Sequence, residues 1–301
     1  MADEQRLALA RRLTDRDRRI VRAVARFRVL TSDQLTEVFF SSQKSALARL
    51  LSLHRLGVLD RFQPHRPSWG SYPYHYVLGP LGAAVLAAEA GDDPDRPARR
   101  WRPERTLALG HTQRLAHLVG VNAFYASLVG HARRYQSARL ASWLTEAECA
   151  RWSEGIVRPD AFGEWHEDGA AVEFFLEYDR GTETLARLVD KLGGYERFEA
   201  ERGASSWVAF AFGSPRREAT ARRALAAATV PAATAALGGP LRPPDALWLP
   251  VAGHGRRLRL AALGAAPKPT EALRRAATGG PRAWRFERSR PDDEEAPIET
   301  P

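Results

Sequence analysis

The chain has 301 residues, 44% of them hydrophobic, enough to bury a sizeable core and to hold two domains. No apolar run approaches the length of a membrane span, and the single cysteine, Cys149, argues against an internal disulfide framework and a cysteine-based zinc site. A net charge of +9 favours a polyanionic partner. Of the 45 basic residues only Lys44, Lys191 and Lys268 are lysine, so part of the bias reflects arginine-rich composition.

The opening stretch MADEQRLALARRLTDRDRR mixes acids and bases, unlike a signal peptide, and a cytoplasmic protein is expected. Thr14 can cap a first helix with Asp15 and Asp17 in its first turn and Ile20, Val21, Val24 and Phe27 on one face. TSDQLTEVFF carries a second cap and a short helix. SSQKSALARLLSLHRLGVL predicts a third, with Ala46, Leu47, Leu50, Leu51 and Leu53 inward and Gly57 at its end. VLDRFQ and YPYHYVLG then read as two strands, followed by a helix in PLGAAVLAAE.

This order over residues 14–90 is that of a winged helix-turn-helix, whose third helix enters the major groove while the wing lies near phosphates. Ser42, Gln43, Lys44, Arg49 and His54 on the third helix, with Arg61, His65 and Arg66 in the wing, are the expected contacts to double-stranded DNA. A solvated helix face or a protein-docking module remains the competing reading. Winged helices often pair, so a homodimer is left open.

Residues 91–104, GDDPDRPARRWRPE, read as a linker. A helical pattern follows from Glu104 to about Tyr135, with Leu107, Leu115, Leu118, Val119, Phe124 and Leu128 apolar. His111 and His117 lie six apart and do not share a face as metal ligands would, so packing or capping is expected of them. ARLASWLTE, VRPDAFGEW and AAVEFFLEYD read as strands. The helix ETLARLVDKLGGYERFEA, the strand SSWVAFAFGS and the helix PRREATARRALAAA come next. The fold class is therefore α/β (α+β), with a mixed sheet over 105–262, edge strands in DALWLP and RLRLAAL, and a disordered tail over 265–301.

Three features of this second domain carry chemistry. Asp160 follows Pro159 at the start of one strand. Glu177 and Asp179 end the next strand on one face. Lys191 and Tyr195 sit four apart on the following helix, with Arg187 one turn earlier. Carboxylates converging without thiols or histidines suit a hard cation, Mg2+ or Mn2+, and a nearby lysine can steady a phosphate. The competing reading is structural: Glu177, Asp179 and Arg180 as local ion pairs, Thr182 as a helix cap, and Lys191 paired with Glu199. No glycine-rich phosphate loop followed by lysine occurs, and the histidines are scattered. A nucleophilic Tyr178 or Tyr195 stays open.

The order Pro159-Asp160, an apolar strand ending in an acid, then a helix resembles the PD-(D/E)XK nuclease superfamily. The resemblance implies metal ligation by Asp160 and Glu177. The position two beyond Glu177, where that superfamily carries lysine, holds Asp179, which would join the metal or take a proton. Lys191 would substitute for the missing lysine, and Tyr195 and Arg187 would position the strand. The acid of that superfamily's first helix has no counterpart; Glu104 and Asn122 are nearest. The wider layout, with GHTQRLAHLVGVNAFYASL, RPDAFGEW and FFLEYDRGTETLARLVDKLGGY, resembles the replication-relaxation family over about residues 14–230. That resemblance implies a DNA-binding protein of actinobacterial plasmids and integrative elements, involved in replication and DNA relaxation. The PD-(D/E)XK resemblance adds the expectation of a metal-dependent nicking endonuclease, with a non-catalytic regulator or adaptor as the alternative and other plasmid replication or transfer proteins as partners.

Overall fold

The computed structural model describes residues 13–64, 72–91, 113–203, 205–226, 228–238, 242–252 and 255–266. Most of the expected linker, with Glu104 and Leu107 after it, lies outside them, as do His65, Arg66, His111 and residues 267–301. Contacts divide the chain into two units, Met1–Ser127 and Leu128–Pro301. Among the described residues no helix is long and apolar enough to cross a membrane.

The first unit contains α1 (Asp15–Phe27), β1 (Leu30–Thr31), α2 (Ser32–Phe39), α3 (Gln43–Arg55), β2 (Leu59–Phe62), β3 (His75–Leu78) and α4 (Pro80–Glu89). It ends in the N-terminal part of α5 (Gln113–Arg134). The strands form an antiparallel sheet in the order β1-β3-β2, with Leu30 opposite Tyr76 and Leu59 opposite Leu78. Thr14 and Thr31 each close a capping box, reciprocated by Asp17 and Gln34, which satisfies the first free amides of α1 and α2. Ala46, Leu50 and Leu53 are buried as expected, but Leu47 points outward and is 39% exposed. It lies one position beyond the narrow stripe that α3 turns inward. The two-residue β1 has no periodic signal of its own and exists through pairing with β3.

One buried ion pair ties this unit together. Asp17 is fully buried and accepts hydrogen bonds from the Thr14 amide at 2.8 Å and hydroxyl at 2.7 Å. The Arg49 Nε donates to it at 2.8 Å, so the first turn of α1 is joined to the middle of α3. Burial opposes the Asp17 charge, but Arg49 and Thr14 outweigh it and hold the carboxyl below its usual range. Asn122 on α5, also buried, donates to the Phe27 carbonyl at 3.2 Å and the Val29 carbonyl at 2.7 Å, carboxyl-terminal groups that α1 cannot satisfy internally.

The second unit holds β4 (Ala138–Thr145), α6 (Glu146–Trp152), β5 (Ala161–Glu167), β6 (Ala170–Asp179), α7 (Leu185–Arg202), β7 (Trp207–Phe212), α8 (Pro215–Leu225), β8 (Ala232–Ala236) and β9 (Leu249–Pro250). Its six-stranded mixed sheet runs in that order, β4 to β9. β4, β5 and β6 are antiparallel, β6, β7 and β8 parallel, and β9 antiparallel at the edge. Phe174, Phe175 and Leu176 are buried, as a strand covered on both faces requires. Phe175, Tyr195 and Phe198 pack together with Phe162 in the core between sheet and helix, and Phe175 and Tyr195 ring centroids are 5.1 Å apart. Cys149 of α6 is buried in the same cluster, and burial first, then the Glu148 charge, pushes its thiol up to about 12.

Two local expectations change, and β8 is a strand that the sequence pattern did not indicate. β8, AATAA, has a composition that favours helix, yet it pairs with β7 and is packed against by α8. The segment 257–263 yields a single bridge, Trp248 to Leu258, and a 3-10 helix over Ala261–Ala265 instead of an edge strand. Thr184, not Thr182, caps α7 by accepting from the Arg187 amide at 3.3 Å. Gly163 on β5 faces Phe174, where a Cβ would come within 2.8 Å of the ring, so glycine is needed for the β5–β6 pairing.

Arg49→Met is expected to destabilise the protein by about 3 kcal/mol, because it leaves a buried carboxylate unpaired. Since the folded Asp17 pKa is depressed, its stabilisation is full above pH ~4 and is lost as pH falls through the folded value. Denaturant melts at pH 7 and pH 3 should show the wild type losing part of this stabilisation as Asp17 begins to protonate, and Arg49→Met losing less. Equal melting of both proteins at pH 7 would contradict the assignment.

Candidate functional site

The β5–β6 register creates the site. Ala161 pairs with Leu176, so Asp160, one residue earlier, lies beside Glu177, one residue later. The Asp160 amide donates to the Leu176 carbonyl at 3.0 Å, and the Tyr178 amide donates to Asp160 Oδ2 at 2.7 Å. Asp160 is thus bonded to both neighbours of Glu177.

Glu177 is 2% exposed and has both oxygens occupied. Tyr195 donates its hydroxyl to Oε1 at 2.5 Å, and Lys191 donates its ammonium to Oε2 at 2.8 Å. The four-residue spacing on α7 puts both donors on the side of the helix facing β6. Lys191 also donates to Glu183 at 2.8 Å. Burial, and then the Asp160 charge, raise the Glu177 carboxyl to about 7 against the opposing pull of Lys191 and Tyr195. Burial works against the Lys191 charge, but Glu177 and Glu183 outweigh it and keep the ammonium firmly protonated. Burial and Glu177 push the Tyr195 phenol well up, and burial raises Tyr178, so neither is poised as a phenolate nucleophile.

Asp179 and Arg187 are engaged with other partners, and Tyr195 and Lys191 make contacts that the sequence did not indicate. Asp179 is buried on the same strand face, but its Oδ2 pairs with Arg217 of α8 at 2.7 Å and its Oδ1 accepts from the Gly181 amide at 2.5 Å. Gly181 adopts a φ of 89°, which a side chain would resist. Arg217 also donates to the Glu183 carbonyl, so Asp179 and Arg217 together fix the strand-to-helix junction. Arg187 is largely exposed and lies 3.8 Å from Glu183. Tyr195 is buried and positions Glu177, where the sequence suggested it would position a DNA strand. Lys191 pairs with Glu183 and not with Glu199, which instead accepts from Ser205 at 2.6 Å.

Glu183 and Arg217 were not anticipated in these roles. Glu183 precedes the helix that carries Lys191, and its acid-before-helix position reads first as dipole complementarity. Arg217 reaches Asp179 from the next helix but one, and no local spacing marks it. Among the described residues no group of three or more His, Cys, Asp or Glu side chains could hold a metal ion. The donor set that fits a hard cation is the two-carboxylate pair Asp160 and Glu177, all oxygen and from adjacent strands.

In the first unit, Ser42 is the N-cap of α3 and accepts from the Ser45 amide at 3.3 Å. Ser42, Gln43 and Lys44 are exposed at that helix start. Arg61 lies with its guanidinium 4.0 Å over the Tyr74 ring, across the β2–β3 hairpin. Arg49 is committed to Asp17, and His54 Nδ1 lies 3.3 Å from the Leu59 carbonyl and 3.7 Å from Asp60.

The sequence profile described as replication-relaxation matches residues 21–207, more than half of the chain. The protein belongs to the replication-relaxation family. No curated protein and no solved structure matches it. The replication-relaxation match runs from inside α1 to the first residue of β7 and takes in Asp160, Glu177, Glu183, Lys191 and Tyr195. Arg217 lies beyond it.

The Glu177 carboxyl is expected to titrate near pH 7 in the metal-free protein, as followed by carbon NMR of labelled glutamate in EDTA. Asp160→Asn removes one raising charge and should lower the midpoint; Lys191→Met should raise it. A raised folded pKa means that Glu177 favours the folded state at low pH and loses that contribution as pH rises through about 7. A midpoint near the ordinary glutamate value would show the site to be open to water.

Proposed function

We propose that this replication-relaxation protein acts on the DNA of a plasmid or other mobile element. Its first unit grips duplex DNA as a winged helix-turn-helix, and its second hydrolyses a phosphodiester bond as a PD-(D/E)XK-like domain. The observation that carries the catalytic half is the convergence of Asp160, Glu177, Lys191 and Tyr195 at the ends of β5, β6 and the inner face of α7. Asp160 and Glu177 would hold Mg2+ or Mn2+, which when bound polarises a phosphate and lowers the pKa of water. Tyr195 fixes the rotamer of Glu177, and the surrounding aromatic core keeps water from its inner side. Lys191, 31% exposed, is the cation able to meet the developing charge on a phosphate. Asp179 and Arg217 hold the junction from which α7 starts.

The DNA-contacting half rests on the exposed start of α3, where Ser42, Gln43 and Lys44 combine hydrogen-bonding groups with charge, and on Arg61 at the hairpin. Arg49 and His54 support these residues from within the fold. A second reading, a regulator that binds DNA without cutting it, is favoured by one observation: the position two beyond Glu177 holds Asp179, which is closed off by Arg217.

A nicking assay on supercoiled plasmid with Mg2+ or Mn2+ decides between the two. Wild type should nick and Asp160→Ala and Glu177→Gln should not, while all three bind DNA equally. Nicking by none of them, with binding intact, would establish the regulator. In a salt titration of duplex binding, Lys44→Ala and Arg61→Ala should each reduce the slope of log K against log salt by roughly 0.9. Unchanged slopes in both variants would remove α3 and the hairpin from the DNA interface.

A further inference from the structure

Lys191 occupies an unusual place. Its ammonium lies 2.8 Å from Glu177 Oε2 and 2.8 Å from Glu183 Oε2, a bridge between a buried carboxylate and a half-buried one. Nearly all other cations of the chain are arginines, and the buried carboxylates Asp17, Asp179 and Glu218 are each held by an arginine. Arginine grips a carboxylate through a planar fork; lysine is a point charge on a flexible stem that can swing between partners. The only lysine in the described part of this unit therefore sits on the carboxylate that a divalent ion would use.

An ion bound to Glu177 at roughly 2.0–2.6 Å would lie within a few ångströms of an ammonium hydrogen-bonded to the same oxygen. Two positive charges at that separation repel strongly in a site this buried. The two cannot share Glu177 Oε2. Glu183 offers the ammonium a place to go, because it already accepts from Lys191 and lies before the first turn of α7 on the chain.

We propose that Lys191 is the built-in counter-ion of Glu177, exchanged for the divalent cation, and that Glu183 is the positioning residue that receives the displaced ammonium. This rests on the metal-dependent reading above. In the metal-free protein Lys191 neutralises the buried carboxylate. When Glu177 takes an ion, Lys191 moves fully to Glu183 and its remaining donors face outward, toward a phosphate. The lysine is then released for phosphate only when the ion is in place, so the site arms itself in order. Glu183 acts through Lys191 and is not itself a ligand.

The test is Mn2+ binding by the full-length protein without DNA, measured by calorimetry, on wild type, Lys191→Met, Glu183→Gln and the double variant, with Glu177→Gln to locate the ion. Lys191→Met should bind Mn2+ more tightly by on the order of tenfold or more. Glu183→Gln should bind more weakly by roughly tenfold. In the Lys191→Met background, Glu183→Gln should change nothing, since the residue it serves is gone. Should Lys191→Met fail to fold, Lys191→Gln replaces it, keeping a neutral donor for Glu177. Equal affinity in wild type and the Lys191 variant would overturn the exchange. A Glu183→Gln loss of the same size in both backgrounds would make Glu183 a ligand or a general field and overturn its receiving role. Absence of Mn2+ binding in every variant would instead overturn the metal-dependent reading, and the exchange with it.

Discussion

A carboxylate cannot stay charged in a protein interior unless donors surround it, and the burial of Glu177 sets this requirement for the whole second unit. β6 must carry Glu177 inward because the same strand face places Phe175 in the core. The α7 sequence then has to supply a lysine and a tyrosine one turn apart, and the strand-to-helix junction has to deliver α7 at the right height. That junction is held by Asp179, Gly181 and Arg217. The glycine at position 163 preserves the pairing that brings Asp160 alongside. A change in any of these moves the others.

The same economy recurs across the chain. Asp17 is met by Arg49, Glu218 by Arg257, and Glu167 by Arg259 and by His131 at 2.7 Å. These pairs join elements far apart in sequence and leave no spare valence on the acid, so they behave as rivets. Glu177 differs in kind, because its cation is a lysine shared with Glu183.

Much of this was legible in the sequence, for reasons that differ by residue. The helices α1 to α4 announce themselves through caps, a 3.6-residue apolar repeat and glycine or proline stops, and AAVEFFLEYD marks β6 to the residue. Asp160, Glu177, Lys191 and Tyr195 could be linked because strand ends and helix turns fix their neighbours. β8 was hidden because alanine favours helix when nothing packs on it. Arg49 looked like a DNA contact because its solvent-side position on α3 gives no hint of Asp17, 32 residues away. Arg217 and Asp179 were unreadable for the same reason: a long-range ion pair has no period. Leu47 was misjudged because an apolar residue at the edge of a helical stripe can fall on either side.

The interior position of Cys149 has a practical consequence. Its thiol is buried and pushed up to about 12, so thiolate, the form that reacts with alkylating reagents, is scarce at neutral pH. As the chain has no other cysteine, its surface is chemically silent toward maleimides. A cysteine placed on the exposed flank of α3 would then be a unique attachment point. A dye or spin label there would report contacts made at that flank without first stripping the native thiol from the protein.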